Sequence, residues 1–277
     1  MERCKENIQE LQKKIQDIEQ KYPKISSKKT PKDLKMPWVK AKVKLGILYY
    51  KEGRYPEAYT ELEHLVHLKS KVFTRERCIA ILLRNKIAFS EKTCPLSKTH
   101  SARSKNAEIR KSLEKLIDLR KAHPQILPEI EAEGCYTLGK IYRGGSGYGI
   151  GRSDLPQARD YFQKAQEIYK EILSSSLSCS RQKNASYKLS RAHEKGSKVL
   201  QDEESQDEAF RERELGKSVF EEGCHSCQDN SIRGKSLYYL AKLYVLEKDL
   251  SKAQVCLDKV KTLFAEMLDN PVPPNKK

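Results

Sequence analysis

Residues 44–65, KLGILYYKEGRYPEAYTELEHL, have the apolar spacing of two short helices joined by a tight turn. Residues three or four apart share a helix face. The apolar positions are Leu45, Gly46, Tyr49, Tyr55, Ala58, Leu62 and Leu65. Gly53 lies where the first helix should end, because glycine adopts the left-handed backbone found after many helices. Gly46 and Ala58 are small enough to let the two helices touch. The stretch predicts a helical hairpin.

The same landmarks resemble those of a tetratricopeptide (TPR) repeat, a helix–turn–helix unit of about 34 residues. They return further along the chain, at Leu138-Gly139, Tyr142, Ala158, Phe162 and Ala165, and at Leu240-Ala241, Tyr244, Ala253 and Leu257. The long glycine-rich turn of residues 143–154 also resembles that of a Sel1-like repeat, so both classes stay open. The resemblance implies an all-α solenoid in which stacked hairpins form a superhelix with a concave groove.

The chain divides into an N-terminal helix, a basic linker, about five hairpins and a disordered tail. The predicted bounds are 1–22 for the helix, 23–37 for the linker, 38–69, 75–123, 129–173, 183–222 and 231–268 for the hairpins, and 269–277 for the tail. The first segment carries a short heptad seam, which suits either a capping helix or a short coiled coil. In the fourth hairpin, the first helix is expected to end at Gly196.

Composition limits the compartment and the partners. Hydrophobic residues make up 38% and charged residues 33% of the chain, a balance typical of short, well-solvated helices. The net charge of +16 favours anionic partners, although solubility alone would also account for it. No run of 18 apolar residues predicts a membrane span, and MERCKENIQE lacks the apolar segment of a signal peptide. We therefore expect a cytoplasmic protein with its eight cysteines as thiols; a nuclear location also fits.

A second regularity points to a binding surface. Leu138, Leu189 and Leu240 follow one another at intervals of 51 residues. A tyrosine lies two residues before each leucine and a cation two residues after it. The resulting pairs are Tyr136–Lys140, Tyr187–Arg191 and Tyr238–Lys242. Members of a pair are four residues apart and so share a helix face. In TPR proteins these positions face the concave groove, so the resemblance implies a ladder of three tyrosines and three cations there.

Three interpretations of this ladder compete. In the first, the tyrosines serve only to pack adjacent helices while the cations stay solvated. Alternatively, an acidic peptide or protein segment binds to the rings and cations, or single-stranded RNA stacks its bases on the tyrosines. The carboxylate clamp that holds Hsp70 and Hsp90 C-termini in some TPR domains has no match here. The sequence thus favours a non-enzymatic adaptor or scaffold, with an RNA-binding protein as the alternative.

No motif for catalysis, metal or cofactor binding stands out. The glycine-rich turn at 143–152 lacks the preceding strand and the Lys-Ser or Lys-Thr of a phosphate loop. Cys224 and Cys227 form a CxxC without the further ligands that a closed zinc site needs. The six histidines lie apart in the sequence with no clear acidic partner. We therefore predict no catalytic residue, no metal and no cofactor.

Overall fold

The computed structural model describes residues 2–23, 25, 31–66, 74–90, 102–144, 153–175, 179–226 and 230–269. All regular secondary structure in these residues is helical, which confirms the all-α prediction. The helices are α1 Glu2–Lys21, α2 Lys32–Lys51, α3 Tyr55–Val66, α4 Thr74–Ser90, α5 Ala102–Ala122, α6 Pro128–Tyr142, α7 Leu155–Ser174, α8 Cys179–Asp202, α9 Gln206–Ser226, α10 Asn230–Leu246 and α11 Leu250–Asp269. None of these described helices is both long enough and apolar enough to cross a membrane.

The chain forms two compact units, Met1–Arg152 and Ser153–Lys277. In the first unit each helix packs against the next one along the chain, and α4 also contacts α2 and α6. In the second unit α7 to α11 again pack in chain order, and α8 also contacts α10. This order of contacts is the one expected within a stack of helical hairpins. The predicted hairpin 129–173 divides between the units, with α6 in the first and α7 in the second.

The N-terminal helix packs on α2. The apolar seam of α1 is buried, at Ile8, Leu11 and Ile15. Two hydrogen bonds fix the contact: the Gln12 amide donates to the Tyr49 hydroxyl at 2.8 Å, and the Trp38 indole donates to Glu19 at 2.9 Å. The seam is therefore covered by this chain's own second helix.

Helix α2 begins earlier than expected, and residues 32–37 of the predicted linker belong to it. Their polar, proline-bounded composition is typical of a linker, but these residues are helical. Pro31 immediately precedes the helix, where it interrupts no intrahelical hydrogen bond. Pro37 inside the helix costs about 3 kcal/mol. Burial of Trp38 and Val39 opposes that cost, since a fully buried large apolar side chain contributes about 1.5–3 kcal/mol.

The α2–α3 hairpin matches its sequence pattern. Gly53 has a φ of +75°, the left-handed conformation predicted for the end of α2. Ala58 and Leu62 are completely buried. A Cβ atom added to Gly46 would lie 2.8 Å from both Cγ and Cδ2 of Leu62, closer than van der Waals contact allows. The absence of a side chain at residue 46 therefore sets the spacing between α2 and α3.

A buried arginine joins three helices of the first unit. Arg84 on α4 forms ion pairs with Glu63 on α3 at 2.6 Å and Glu108 on α5 at 2.9 Å. It also donates to the hydroxyl of Tyr59 at 3.2 Å. Burial raises the pKa of Tyr59 to about 12 despite the neighbouring guanidinium. The carboxylates compensate the buried guanidinium charge, which would be costly alone.

In the second unit, α8 does not end at Gly196 as predicted but continues to Asp202. Gly196 is buried, and a Cβ there would lie 3.3 Å from Nε2 of Gln166 and 3.4 Å from Oε2 of Glu212. The glycine therefore permits a close approach to α7 and α9 rather than ending the helix. The sequence alone does not distinguish a glycine that ends a helix from one that lets a neighbouring helix approach closely.

Several predicted features lie outside the described residues. They include the central part of the linker (26–30), most of the polar loop between α4 and α5 (91–101), most of the glycine-rich turn (145–152) and the tail from residue 270.

Alanine substitutions at two glycines test the α2–α3 contact. We expect Gly46→Ala to lower the free energy of unfolding by about 1 kcal/mol, because an overpacking cost of about 1–3 kcal/mol exceeds the helix-propensity gain of about 1 kcal/mol. Gly234→Ala is the control, since its Cβ would meet Phe264 at an ordinary 3.6 Å. That change should stabilise by about 0.5–1 kcal/mol. Urea unfolding of the full chain measures both, and stabilisation by Gly46→Ala would contradict the close contact.

Candidate functional site

Four aromatic rings meet in the second unit around Tyr239 on α10. Its ring centroid lies 5.6 Å from that of Tyr187 on α8, 5.9 Å from that of Phe220 on α9 and 5.5 Å from that of Tyr238. The Phe220 and Tyr239 rings are stacked, with planes 9° apart, whereas the other two contacts are edge-to-face. Such pairs contribute about 0.5–1.5 kcal/mol each beyond the burial of their area. Tyr239 thus holds α8, α9 and α10 together.

Two cations lie over these rings. The Arg191 guanidinium is 5.9 Å from the centroid of Tyr187 and 5.1 Å from that of Tyr239. The Lys242 ammonium is 5.7 Å from the centroid of Tyr238 and 5.2 Å from that of Tyr239. Each cation follows its tyrosine by four residues on the same helix, and Tyr239 lies between the two pairs. We call Tyr187, Arg191, Tyr238, Tyr239 and Lys242 the aromatic–cation cluster.

Exposure to solvent increases from the neighbouring Phe220 outward through the aromatic–cation cluster. Phe220 is fully buried, and Tyr187 and Tyr239 are partly buried against the same core. Burial raises the pKa of Tyr187, although the positive charge of Arg191 opposes the shift. Tyr238 is 47% exposed, and Lys242 is exposed as well. The inner rings therefore support an outer tyrosine and an outer cation that solvent can reach.

Two of the three predicted tyrosine–cation pairs thus meet in one place, through a tyrosine that the sequence pattern did not single out. The sequence does contain the doublet Tyr238-Tyr239. Adjacent residues on a helix point about 100° apart, so the repeat pattern assigns only one of the two tyrosines to the binding surface. The pair Tyr136 and Lys140 belongs to α6 in the first unit. Tyr136 is only 7% exposed, so its ring is covered by protein and presents little surface to a ligand.

A buried histidine pairs with a carboxylate, which corrects the expectation that no histidine has an acidic partner. His193 on α8 is 1% exposed, and its Nδ1 lies 2.7 Å from Oε2 of Glu212 on α9. The amide of Gln166 on α7 donates to the same oxygen at 3.0 Å. The residues are 19 positions apart in the chain, so sequence spacing could not reveal the pair. The contacts of Gln166 and His193 with Glu212 connect α7, α8 and α9.

Among the described side chains, no group of three or more histidines, cysteines or carboxylates is arranged to hold a metal ion. The side chains of Cys224 and Cys227 lie outside the described residues. Three other cysteines, Cys78, Cys135 and Cys256, are buried free thiols. Burial raises the pKa of Cys78 to about 11, so its thiol stays protonated at neutral pH.

Comparisons with known proteins bear on the fold alone. No family model matches the sequence, and no curated protein does. The structure is similar to the crystal structure of BtubC (BKLC) from P. vanneervenii, with a TM-score of 0.55 and 13% sequence identity. The match covers 99% of this chain and 96% of BtubC. The chain therefore shares a helical fold with that protein over nearly its whole length.

The role of Tyr239 is tested by comparing it with its neighbour. We expect Tyr239→Ala to lower the free energy of unfolding by about 2 kcal/mol or more, because it removes contacts to three rings and two cations. Tyr238→Ala should cost less than about 1 kcal/mol, since its ring is half exposed. Tyr239→Phe keeps the ring and serves as the matched control. Urea unfolding followed by near-ultraviolet circular dichroism gives all three values, and equal costs at positions 238 and 239 would refute the arrangement.

Proposed function

We propose that this chain is a non-enzymatic adaptor or scaffold of the TPR or Sel1-like type, and that it works in the cytoplasm. In this proposal an acidic segment of a partner protein binds to the aromatic–cation cluster of the second unit. The proposal narrows the sequence-based expectation, because it rests on two tyrosine–cation pairs rather than three. The partner is not a chaperone C-terminal tail, since the carboxylate-clamp residues are missing.

The proposal rests mainly on the contacts made by the ammonium group of Lys242. Its ammonium group contacts two tyrosine rings, and no described carboxylate lies within 4 Å of it. By contrast, Lys217 in the same unit pairs with Glu247 at 2.8 Å and also with Glu214. A cation held in place by aromatic rings, with no charge partner of its own among the described residues, suits an incoming carboxylate.

The tyrosines supply the apolar part of such a contact. Tyrosine is among the residues that dominate binding energy at interfaces, since its ring buries a large area and its hydroxyl forms hydrogen bonds. Tyr238 is restrained by the edge-to-face contact with Tyr239, so little side-chain entropy is lost on binding. A rigid exposed ring beside an uncompensated cation favours a mixed apolar and acidic ligand.

Single-stranded RNA is the second candidate, and the same exposed ring favours it. A base could stack on Tyr238 while a phosphate pairs with Lys242, and the net charge of +16 would add long-range attraction. We rank it second because one accessible ring provides one stacking platform, whereas proteins that bind single strands usually use several.

Partner binding is tested with three charge or ring variants of the full chain. We expect Tyr238→Ala and Lys242→Glu each to reduce recovery of the same partner proteins about tenfold or more, in line with hot-spot losses of about 2 kcal/mol. Lys170→Glu is the matched control, because Lys170 is an exposed lysine on α7 of the same unit. Quantitative mass spectrometry after affinity purification from nuclease-treated extract provides the measurement. Identical partner profiles for all four proteins would refute the proposal.

The RNA alternative has its own test. Under our proposal, Tyr238→Ala leaves the affinity for a labelled single-stranded oligouridylate unchanged, since any binding comes from net charge alone. Stacking on Tyr238 would instead make this change cost about 1–3 kcal/mol. In both cases the affinity falls with added salt, by about 0.7 log units per log unit of salt for each phosphate contacted, so wild type and Tyr238→Ala are compared at the same salt concentration. Fluorescence anisotropy of the two proteins separates the outcomes.

A further inference from the structure

Helices α7, α9 and α11 share a pattern that aligns them with one another. The fourth residue of each helix is a buried alanine, whose amide donates to the carbonyl oxygen just before the helix. Eleven residues after the alanine, each helix has an aromatic side chain. The alanines are Ala158, Ala209 and Ala253, and the aromatic residues are Tyr169, Phe220 and Phe264. The three helices therefore occupy equivalent positions in the chain's repeat.

The last of these aromatic residues differs from the others in its exposure. Tyr169 and Phe220 are buried, whereas Phe264 is 48% exposed. Helix α10 follows α9 and covers its aromatic residue, since Phe220 packs with Leu240 and Leu243 in one core cluster. Helix α11 is the last helix of the described chain. Phe264 thus lies where another helix would pack if the stack continued.

The uncovered surface extends along α11 on both sides of Phe264. Leu250 and Leu257 precede it at intervals of seven residues, and Leu268 follows it after four, so all four share one side of the helix. Leu250 and Leu268 are exposed, and together the four residues span about 27 Å of helix. We call Leu250, Leu257, Phe264 and Leu268 the α11 stripe. A contiguous apolar stripe that is left uncovered indicates an interaction surface.

A lysine beside the stripe indicates the charge of what binds there. Lys261 on α11 and Lys217 on α9 both follow the aligned alanine by eight residues. Each contacts a carboxylate three residues earlier on its own helix, Asp258 and Glu214 respectively. Lys217 also pairs with Glu247 of α10 at 2.8 Å, whereas the side chain of Lys261 is 76% exposed. Lys261 is therefore placed to receive a carboxylate from a covering helix.

We propose that the α11 stripe binds one amphipathic helix of a partner protein, which continues the stack as α10 does after α9. The pattern that this helix needs is the one that α10 presents to α9. Leu240 and Leu243 pack with Phe220, and Glu247, one turn further along, pairs with Lys217. The partner helix thus has apolar residues at i and i+3 and a carboxylate at i+7. The inference does not rest on the aromatic–cation cluster, none of whose residues belongs to α11.

A second copy of this chain suits the α11 stripe less well. Two copies related by a two-fold axis would pair the same surface with itself. In an antiparallel contact centred on the stripe, Lys261 lies only two residues from the middle. The Lys261 side chains of both copies would then meet near the axis, and like charges at that distance repel. A carboxylate of a different protein avoids this repulsion.

The first experiment uses a fluorescein-labelled peptide with the sequence of residues 230–247, titrated with the full chain and followed by fluorescence anisotropy. We expect saturable binding that Phe264→Ser weakens about tenfold or more, as truncation of a central aromatic residue does at other interfaces. Val255→Ser is the matched control, because Val255 is 54% exposed and lies nine residues from Phe264, on the opposite side of α11. It should leave the affinity unchanged. A thermal unfolding curve for each variant identifies any that fails to fold.

A charge exchange tests the register of the peptide. Lys261→Glu in the chain and Glu247→Lys in the peptide should each weaken binding several-fold, and the two changes together should restore most of the affinity. Lys261 is exposed, so its replacement does not disturb the core. No saturable binding, equal losses for Phe264→Ser and Val255→Ser, or no restoration by the paired change would each overturn the inference.

The remaining occupant, a second copy, is tested by sedimentation equilibrium of the full chain without the peptide. We expect wild type and Phe264→Ser to have the same mass, that of one chain. A wild-type dimer that Phe264→Ser converts to a monomer would make the α11 stripe a contact between copies, and would overturn the assignment to a partner helix.

Discussion

Close packing between helices, permitted by missing side chains, is the constraint on which both units depend. On α9, a Cβ atom at Gly216 would lie 3.2 Å from Cβ of His193 and 3.5 Å from the carbonyl oxygen of Ser190. The backbone of α9 therefore lies directly against α8. Gly46 plays the same part between α2 and α3, against Leu62. Helices packed this closely leave their polar residues little freedom to reach solvent.

This packing explains why polar groups are buried in pairs. In the second unit, α8 contacts α7, α9 and α10, so almost every face of it is covered. His193 and Glu212 satisfy each other across α8 and α9, and Lys195 and Lys198 both contact Glu194. In the first unit, Arg84 forms ion pairs with the carboxylates of Glu63 and Glu108. A buried charge without a partner would cost several kcal/mol, so these pairs restrict how the helices can align.

Much of the fold could be predicted because it depends on local periodicity. The apolar spacing within residues 44–65 indicated the α2–α3 hairpin, since residues three and four apart share a helix face. The end of α8 and the start of α2 could not be predicted, because Gly196 and the residues around Pro37 are governed by tertiary packing. The residues next to a glycine or proline in the sequence do not indicate which distant helix packs against it.

The candidate site was predictable in part for the same reason. The pairs Tyr187–Arg191 and Tyr238–Lys242 follow from a four-residue spacing. The central position of Tyr239 depends on how α8, α9 and α10 come together, and so does the pairing of His193 with Glu212. The positions of Tyr238 and Lys242 thus follow from local sequence. The packing of Tyr239 beneath them depends on tertiary contacts.

The central claim of this account is that the tyrosines of α8 and α10 form one contiguous cluster. A double-mutant cycle on Tyr187 and Tyr239 tests it most directly, with Tyr187→Ala, Tyr239→Ala and the double variant unfolded in urea. Rings in edge-to-face contact at 5.6 Å predict a coupling free energy of about 0.5–1.5 kcal/mol. Strictly additive losses, with a coupling of zero within error, would show that the two rings do not touch and would contradict the account.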